Sequence, residues 1–289
     1  MITVNTRYKD AILKFWTFPA GERGVRLEGW RPYSSDAKIF SADCNITVKW
    51  EGGDDLVDLL LVNDAMREVF GKDAKIECTI PYFPYARQDR VMQYGESHSL
   101  RVFAGIVRSC GFSLVKTIDP HSDVVASLFG PGELEIARQE DVFYDSWIYN
   151  SLAEPGENYN VCLVAPDAGA LKKVYNIAKI TKLPVILANK VRDVETGEIT
   201  HTTVEDNHNR GHMKFIVVDD IVDGGRTFIE LAKSLKSVYH CDKLVLWSSH
   251  GIYSKGLDVL TDDYDFIVTA NNMSKFKLQQ PNYNIFKDN

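Results

Sequence analysis

The chain of 289 residues is too long for one ordinary core and suits two lobes of roughly 100–200 residues each. Apolar types make up 45% and charged types 25%, a globular balance that excludes disorder, and no apolar run reaches the ~18 residues of a membrane-spanning helix. A net charge of −7 argues against general nucleic-acid binding, but a few clustered cations can still hold a small polyanion.

From the N-terminus, Met1–Asp10 shows no basic region leading into an apolar stretch, so no secretory signal is expected. Asp54–Phe70, with Leu56, Leu59, Leu60, Val62 and Met66, predicts a helix more apolar than an exposed one. Ile76–Tyr82 predicts a strand, Ser99–Cys110 a helix, and Ser113–Asp119 a second strand. The polar, Gly- and Pro-containing stretch Gly130–Asp141 marks a boundary between lobes 1–140 and 141–289. Beyond it, strands Val161–Pro166, Pro184–Ala188, Phe215–Val218, Leu244–Trp247 and Phe266–Val268 alternate with helical segments. One of these, Phe228–Val238, lines up Phe228, Leu231, Ala232 and Leu235, with Thr227 as N-cap. Short apolar strands between helices imply an α/β fold of two similar lobes, each a parallel sheet covered by helices on both faces.

One segment, Asn189–Lys214, breaks this rhythm and reads as a mobile lid, or alternatively as a surface ribbon turning at Thr196–Gly197. The five cysteines, Cys44, Cys78, Cys110, Cys162 and Cys241, lie far apart without a CxxC. That pattern argues against a disulfide frame and a zinc site and suits the reducing cytoplasm. The Asn-x-Ser/Thr matches at Asn45 and Asn272 read as chance.

Residues 215–227 read Phe-Ile-Val-Val-Asp-Asp-Ile-Val-Asp-Gly-Gly-Arg-Thr and run directly into a helix. An apolar strand delivers Asp219 and Asp220 to its carboxyl end, where open α/β sheets bind ligands. Gly224 and Gly225 let backbone N–H groups converge on an anion, and the helix start behind them adds about half a positive charge. A phosphate on the loop and a diol on the carboxylates describe a ribose phosphate. There is no P-loop, HExxH, kinase signature or nucleophile elbow in the chain.

This segment resembles the ribose-5-phosphate signature shared by type I phosphoribosyltransferases and ribose-phosphate diphosphokinases. Three further blocks are similar to the diphosphokinases. Pro81-Tyr-Phe-Pro-Tyr-Ala-Arg-Gln-Asp-Arg90 resembles their ATP-binding block, which implies that Arg87 and Gln88 contact ATP phosphates. Thr117-Ile-Asp-Pro-His121 resembles their Asp-x-His motif; along an extended chain Asp119 and His121 would face the same way, suited to Mg²⁺ and its phosphates. Val164-Ala-Pro-Asp-Ala-Gly-Ala-Leu-Lys-Lys173 resembles the loop whose aspartate, here Asp167, helps hold the metal. Ser248–Ser254 matches a further block of less specific role.

The discriminating pair is Lys190 and Arg192, which the family carries at this spacing at the start of its catalytic loop. Two residues apart in an extended chain, both side chains lie on one face and could close over a β-phosphate. Each cation near ~4 Å would contribute on the order of 4 kcal/mol at an effective dielectric of 20, before desolvation. The resemblance further implies that Phe18 and Glu22 lie near adenine, that Mg²⁺ is required, and that the protein assembles at least as a dimer with no nucleic-acid or membrane partner.

Departures matter too. The family's usual acid in Phe18-Pro-Ala-Gly-Glu22 is Ala20, and the segments before Phe18 and at the C-terminus are short, similar to a compact form such as some bacteriophages encode. The family's hexamer and allosteric ADP/phosphate site are therefore not carried over. In the phosphate loop the usual Asp-Thr-Gly/Ala-Gly-Thr is Asp223-Gly-Gly-Arg-Thr227, losing a hydroxyl at Gly224 and gaining a cation at Arg226. The expected reaction is Mg²⁺-dependent transfer of the ATP β,γ-diphosphoryl group to ribose 5-phosphate. A substituted acceptor such as ADP-ribose, serving NAD salvage, is the alternative; a phosphoribosyltransferase or a non-catalytic regulatory homologue are lesser ones.

Overall fold

A computed structural model describes residues 1–6, 10–29, 44–152, 160–192, 199–204 and 212–276. The chain divides into two compact units, Met1–Ile136 and Ala137–Asn289. The first holds β1 (Ile2–Thr6), β2 (Asp10–Thr17), β3 (Arg23–Glu28), β4 (Cys44–Val48), α1 (Asp54–Phe70), β5 (Ile76–Thr79), α2 (Ser99–Ser109), β6 (Leu114–Ile118), α3 (Val124–Ser127) and, at its end, β7 (Leu134–Ala137). The second holds α4 (Gln139–Tyr144), α5 (Trp147–Leu152), β8 (Val161–Ala165), α6 (Leu171–Thr181), β9 (Val185–Arg192), β10 (Ile199–Val204), β11 (His212–Val222), α7 (Arg226–Val238), β12 (His240–Gly251), α8 (Asp258–Thr261) and β13 (Phe266–Asn272).

The N-terminal sheet runs in the order β3-β2-β1-β4-β5-β6-β7. Strands β4, β5 and β6 are parallel, but β3, β2 and β1 precede them as an antiparallel meander, with β1 also antiparallel to β4. The residue pattern predicts no element before Asp54, whereas the structure has this meander there. Strand β2 turns Ala11, Leu13 and Phe15 to the core and leaves Ile12 and Trp16 exposed, so apolar residues on both faces mask the alternation. A Cβ at Gly24 would lie 2.3 Å from the Trp16 ring, so glycine alone lets the indole cross the strand pair. Arg23 docks the hairpin on α1 through two bonds to Asp58, at 2.9 and 2.6 Å.

Helix α1 begins with Asp54 and Asp55 at the positive end of its dipole and ends at Gly71, whose N–H bonds the Arg67 carbonyl. Its Leu59, Val62 and Met66 are buried in the core with Ile46, Ile76, Leu100 and Phe103.

The C-terminal sheet runs β10-β9-β8-β11-β12-β13, parallel except for β10, which returns antiparallel beside β9. Helix α7 lays Phe228, Leu231, Ala232 and Leu235 into a core with Val164, Phe215, Val217 and Leu246. The expected lid is therefore a ribbon in its described parts. Residue pairs run from Ile199↔Arg192 to Val204↔Ala188, because Val204 is buried in that core and fixes the register. The turn at Thr196–Gly197 lies outside the described residues.

All five cysteines are free; four are buried and Cys241 is partly so. No described helix is long and apolar enough to cross a membrane. Truncating a fully buried α7 side chain tests this packing: Leu231→Ala should cost about 2–5 kcal/mol, read as a lower urea midpoint at unchanged slope.

Candidate functional site

In the N-terminal unit the chain leaves β5 and turns through Pro81–Arg90. Phe83 and Ala86 are buried, and the rings of Phe83 and Tyr85 pack on Phe103 of α2 at 5.3 and 5.6 Å. Tyr85 takes φ 63, and the Gln88 N–H donates to the Tyr85 carbonyl at 2.8 Å. With the turn pinned by aromatic packing, Arg87 and Gln88 are left exposed, and the Arg87 guanidinium has no partner among the described residues. Its fork of donors therefore remains available for phosphate oxygens.

Strand β6 is tied to the same turn. The Ile118 N–H and the Thr117 hydroxyl both donate to the Pro81 carbonyl, at 3.1 and 3.3 Å. Beyond it, Ser122 Oγ donates to Asp89 Oδ2 at 2.7 Å, while Arg90 Nε donates to Oδ1 at 2.9 Å. The Arg90 bond first, then that from Ser122, holds the Asp89 carboxyl down at about 2. Asp89 thus joins the two sequence blocks; sequence reading gave it no role, because its partner Ser122 is 33 residues away.

The chain from Asp119 to His121 is not the extended segment expected. Strand β6 ends at Ile118, Pro120 has no N–H to continue it, and Asp119 takes φ 29. Asp119 is consequently buried at 4% exposure, whereas His121 is exposed. Phe18 and Glu22 close the β2–β3 turn, with the Phe18 N–H donating to the Glu22 carbonyl at 2.8 Å. Phe18 is 49% exposed, edge-on to Trp16 at 6.0 Å.

In the C-terminal unit, Asp219 and Asp220 stand where the buried run of β11 gives way to half-buried positions. Being adjacent in a strand, they leave opposite faces of the sheet. Asp220 Oδ2 pairs with Lys173 Nζ of α6 at 3.0 Å, and Asp219 Oδ1 accepts the Asp220 N–H at 2.8 Å. Lys173 is a site neighbour that sequence reading quoted without a role; the pairing spans 47 residues.

After β11 the chain makes the glycine turn. Gly225 takes φ 83 and is the N-cap of α7, replacing the expected Thr227, which lies in the first turn. A left-handed cap admits glycine readily, and a Cβ there would press Val259 at 3.2 Å and Leu260 at 3.3 Å. The N–H groups of Gly224, Gly225, Arg226 and Thr227 have no acceptor among the described residues, while those of Phe228 and Ile229 donate to the Gly225 carbonyl. Four consecutive unpaired donors at a helix start are suited to a phosphate. Asp223 Oδ1 accepts the Ser254 N–H at 3.3 Å, and the Val222 carbonyl accepts that of Ile252 at 2.8 Å, fixing the loop against the chain after β12. Tyr253, at φ 53, is buried there, and burial pushes its phenol up to about 12.

Arg226 Nε donates to Glu230 Oε1 one turn along, at 3.1 Å. Asp167 follows β8, and its Oδ1 accepts the Ala170 N–H at 3.1 Å, ordering the turn into α6. Lys190 and Arg192 occupy alternate positions of β9, opposite Thr202 and Ile199; their side chains lie outside the described residues. Ser248, Ser249 and His250 are inside the sheet: Ser248 Oγ donates to Thr269 Oγ1 at 3.0 Å, and the His250 Nδ1–Asn271 Nδ2 pair is at 3.1 Å. That block knits β12 to β13. Among the described residues, no three His, Cys, Asp or Glu side chains converge as a metal site.

Comparison with known proteins matches two family descriptions to the chain: "N-terminal domain of ribose phosphate pyrophosphokinase" over residues 34–111 and "Phosphoribosyl transferase domain" over residues 143–271. The ribose-phosphate pyrophosphokinase of Campylobacter jejuni is 25% identical over 238 residues, 81% of this chain and 73% of that protein. That of Mycoplasma genitalium is 26% identical over 272 residues, 91% and 75% of the two chains. In fold, the phosphoribosylpyrophosphate synthetase from Mycobacterium smegmatis superposes with a TM-score of 0.70 at 20% identity, over 90% of this chain and 80% of that one.

Two measurements check these local arrangements. Gly225→Ala should cost about 1–2 kcal/mol for a left-handed alanine, seen as a lower thermal midpoint. Because the Asp89 carboxyl titrates at about 2, its stabilisation is complete above the ordinary carboxylate range and is lost as pH falls through about 2. Asp89→Asn should accordingly flatten that part of the acid-unfolding curve.

Proposed function

The chain belongs to the ribose-phosphate pyrophosphokinase family, and from that premise we propose that it transfers the β,γ-diphosphoryl group of ATP to the anomeric hydroxyl of ribose 5-phosphate. The hydroxyl oxygen bonds to the β-phosphorus, the bond from that phosphorus to the α,β-bridging oxygen breaks, AMP departs, and the hydroxyl proton leaves to solvent. The row of unpaired N–H groups from Gly224 to Thr227, directly after Asp219 and Asp220, is the observation that carries this reading.

Each residue then has a task. The N–H row, with Asp223 ahead of it, receives the 5-phosphate, and Asp219 and Asp220 accept hydrogen bonds from the ribose hydroxyls. Arg87 and Gln88 hold ATP phosphates; Phe18 and Glu22 contact adenine. The carboxylates of Asp119 and Asp167 carry the oxygen donors that Mg²⁺ takes, and the imidazole of His121 would serve the phosphates that accompany it. When bound, Mg²⁺ neutralises phosphate charge. Lys190 and Arg192 stabilise charge on the transferred group, which is most of what such transfers ask of a protein.

A second reading concerns the acceptor. Gly224 offers no hydroxyl, and Arg226 stands at the first position of α7 with its side chain 73% exposed. A guanidinium there suits an esterified 5-phosphate, as in ADP-ribose, whose anomeric hydroxyl is equally free.

Incubation with ATP and Mg²⁺ plus ribose 5-phosphate or ADP-ribose, following AMP release and product mass, decides both readings. A product heavier by one diphosphoryl group is expected from one acceptor; AMP release from neither removes the proposal. Lys190→Ala should lower turnover at least ~100-fold, as loss of a transition-state donor does, with ATP binding largely retained. Near-wild-type turnover would take Lys190 out of the mechanism.

A further inference from the structure

Arg226 occupies a position that local rules disfavour. A cation at the first residue of a helix meets the positive end of the dipole, and an arginine four residues before a glutamate is the weaker order for such a pair. The contact itself is partial. A guanidinium can make two parallel bonds to a carboxylate, yet here only Nε reaches Glu230, at 3.1 Å. The terminal nitrogens of Arg226 have no partner among the described residues, and its side chain is 73% exposed. The Glu230 side chain is 27% exposed, and its second oxygen, Oε2, is buried without a hydrogen-bond donor.

A carboxylate held this way gains little for folding, since exposed pairs contribute little and a buried unpaired oxygen is costly. Places where local preferences are broken together tend to be functional ones. An anion on the glycine turn would satisfy the Arg226 side of this arrangement. It would supply the charge that the helix start and Arg226 both lack, and give the terminal nitrogens acceptors.

We propose that Glu230 is a positioning residue for acceptor recognition. It holds Arg226 by the Nε edge, leaves the terminal nitrogens for the acceptor's 5-phosphate, and offsets the guanidinium charge, setting how strongly the loop weighs the charge on that phosphate. The inference rests on residues 224–227 being the phosphate cradle. It extends that reading to a residue that no sequence motif marked.

The test is a double-mutant cycle of Glu230→Ala and Arg226→Gly, with ribose 5-phosphate and ADP-ribose binding measured by calorimetry alongside the KM for ATP. Glu230→Ala should weaken acceptor binding by about three- to tenfold in the wild-type background and have no effect in Arg226→Gly, the mark of a coupled pair. The KM for ATP should move by less than about twofold, well inside the coupling range. Glu230→Gln keeps the shape and an acceptor oxygen but removes the charge. It should shift preference toward ribose 5-phosphate, whose terminal phosphate carries more charge than the esterified one, and it guards against a misfolded alanine variant. Equal weakening in both backgrounds, a matching change in the KM for ATP, or an unchanged preference in Glu230→Gln would each overturn the proposal. If wild type binds an acceptor but releases no AMP, diphosphoryl transfer falls while the cycle still decides the role of Glu230. If neither sugar binds, both fall.

Discussion

The chemistry of the C-terminal unit depends on one strand being denied water on both faces. Phe215, Ile216, Val217 and Val218 of β11 have no exposed surface, with β8 and β12 satisfying the ladder on either side. A carboxylate within that run would face the full cost of desolvation, so acids can stand only where the cover ends. Asp219 and Asp220 are the first two residues beyond it. The glycine turn follows after three intervening residues, so the two acids and the row of N–H groups lie on one short stretch of chain. Packing, in this sense, decides where the polar groups go.

The candidate elements of the N-terminal unit are held by a different means. They sit on turns rather than at a strand tip, and the turns are stiffened from beneath by Phe83, Tyr85 and Phe103. Asp89 adds a polar clasp above this aromatic layer, bonded to Arg90 and Ser122. The result is an arginine whose backbone is restrained and whose head remains uncommitted. Rigid backbone with unspent donors is what a nucleotide-holding loop requires, since positioning supplies much of the advantage in phosphoryl chemistry.

Much of this was legible in the residue order, for identifiable reasons. Strands buried on both faces read as continuous apolar runs, so β8 and the centre of β11 were found directly. The α7 stripe was found from its spacing. Strand β2 was not, because its exposed Ile12 and Trp16 spoil the alternation that betrays a half-buried strand. Conformation at single residues was also out of reach. A hydroxyl at position 227 looks like a cap, and nothing local says that Gly225 takes the left-handed conformation instead. The backbone turn at Asp119, with φ 29, was out of reach in the same way, because an extended chain is the expectation there. The pairings Asp89–Ser122 and Lys173–Asp220 bridge 33 and 47 residues, and only the fold brings them together.

The thiols carry a practical consequence. Burial pushes Cys162 up to about 12, Cys110 and Cys241 to about 11, and Cys78 well above its ordinary value. Thiolate, the form that reacts with alkylating reagents, is therefore scarce at these four at neutral pH, and at the buried Cys78, Cys110 and Cys162 labelling must also wait for the surrounding side chains to part. Cys44, Cys78 and Cys110 belong to the N-terminal unit and Cys162 and Cys241 to the C-terminal one. Each half of the chain thus carries its own chemical stopwatch for breathing motions, already installed by the native sequence and readable by mass spectrometry without any engineered probe.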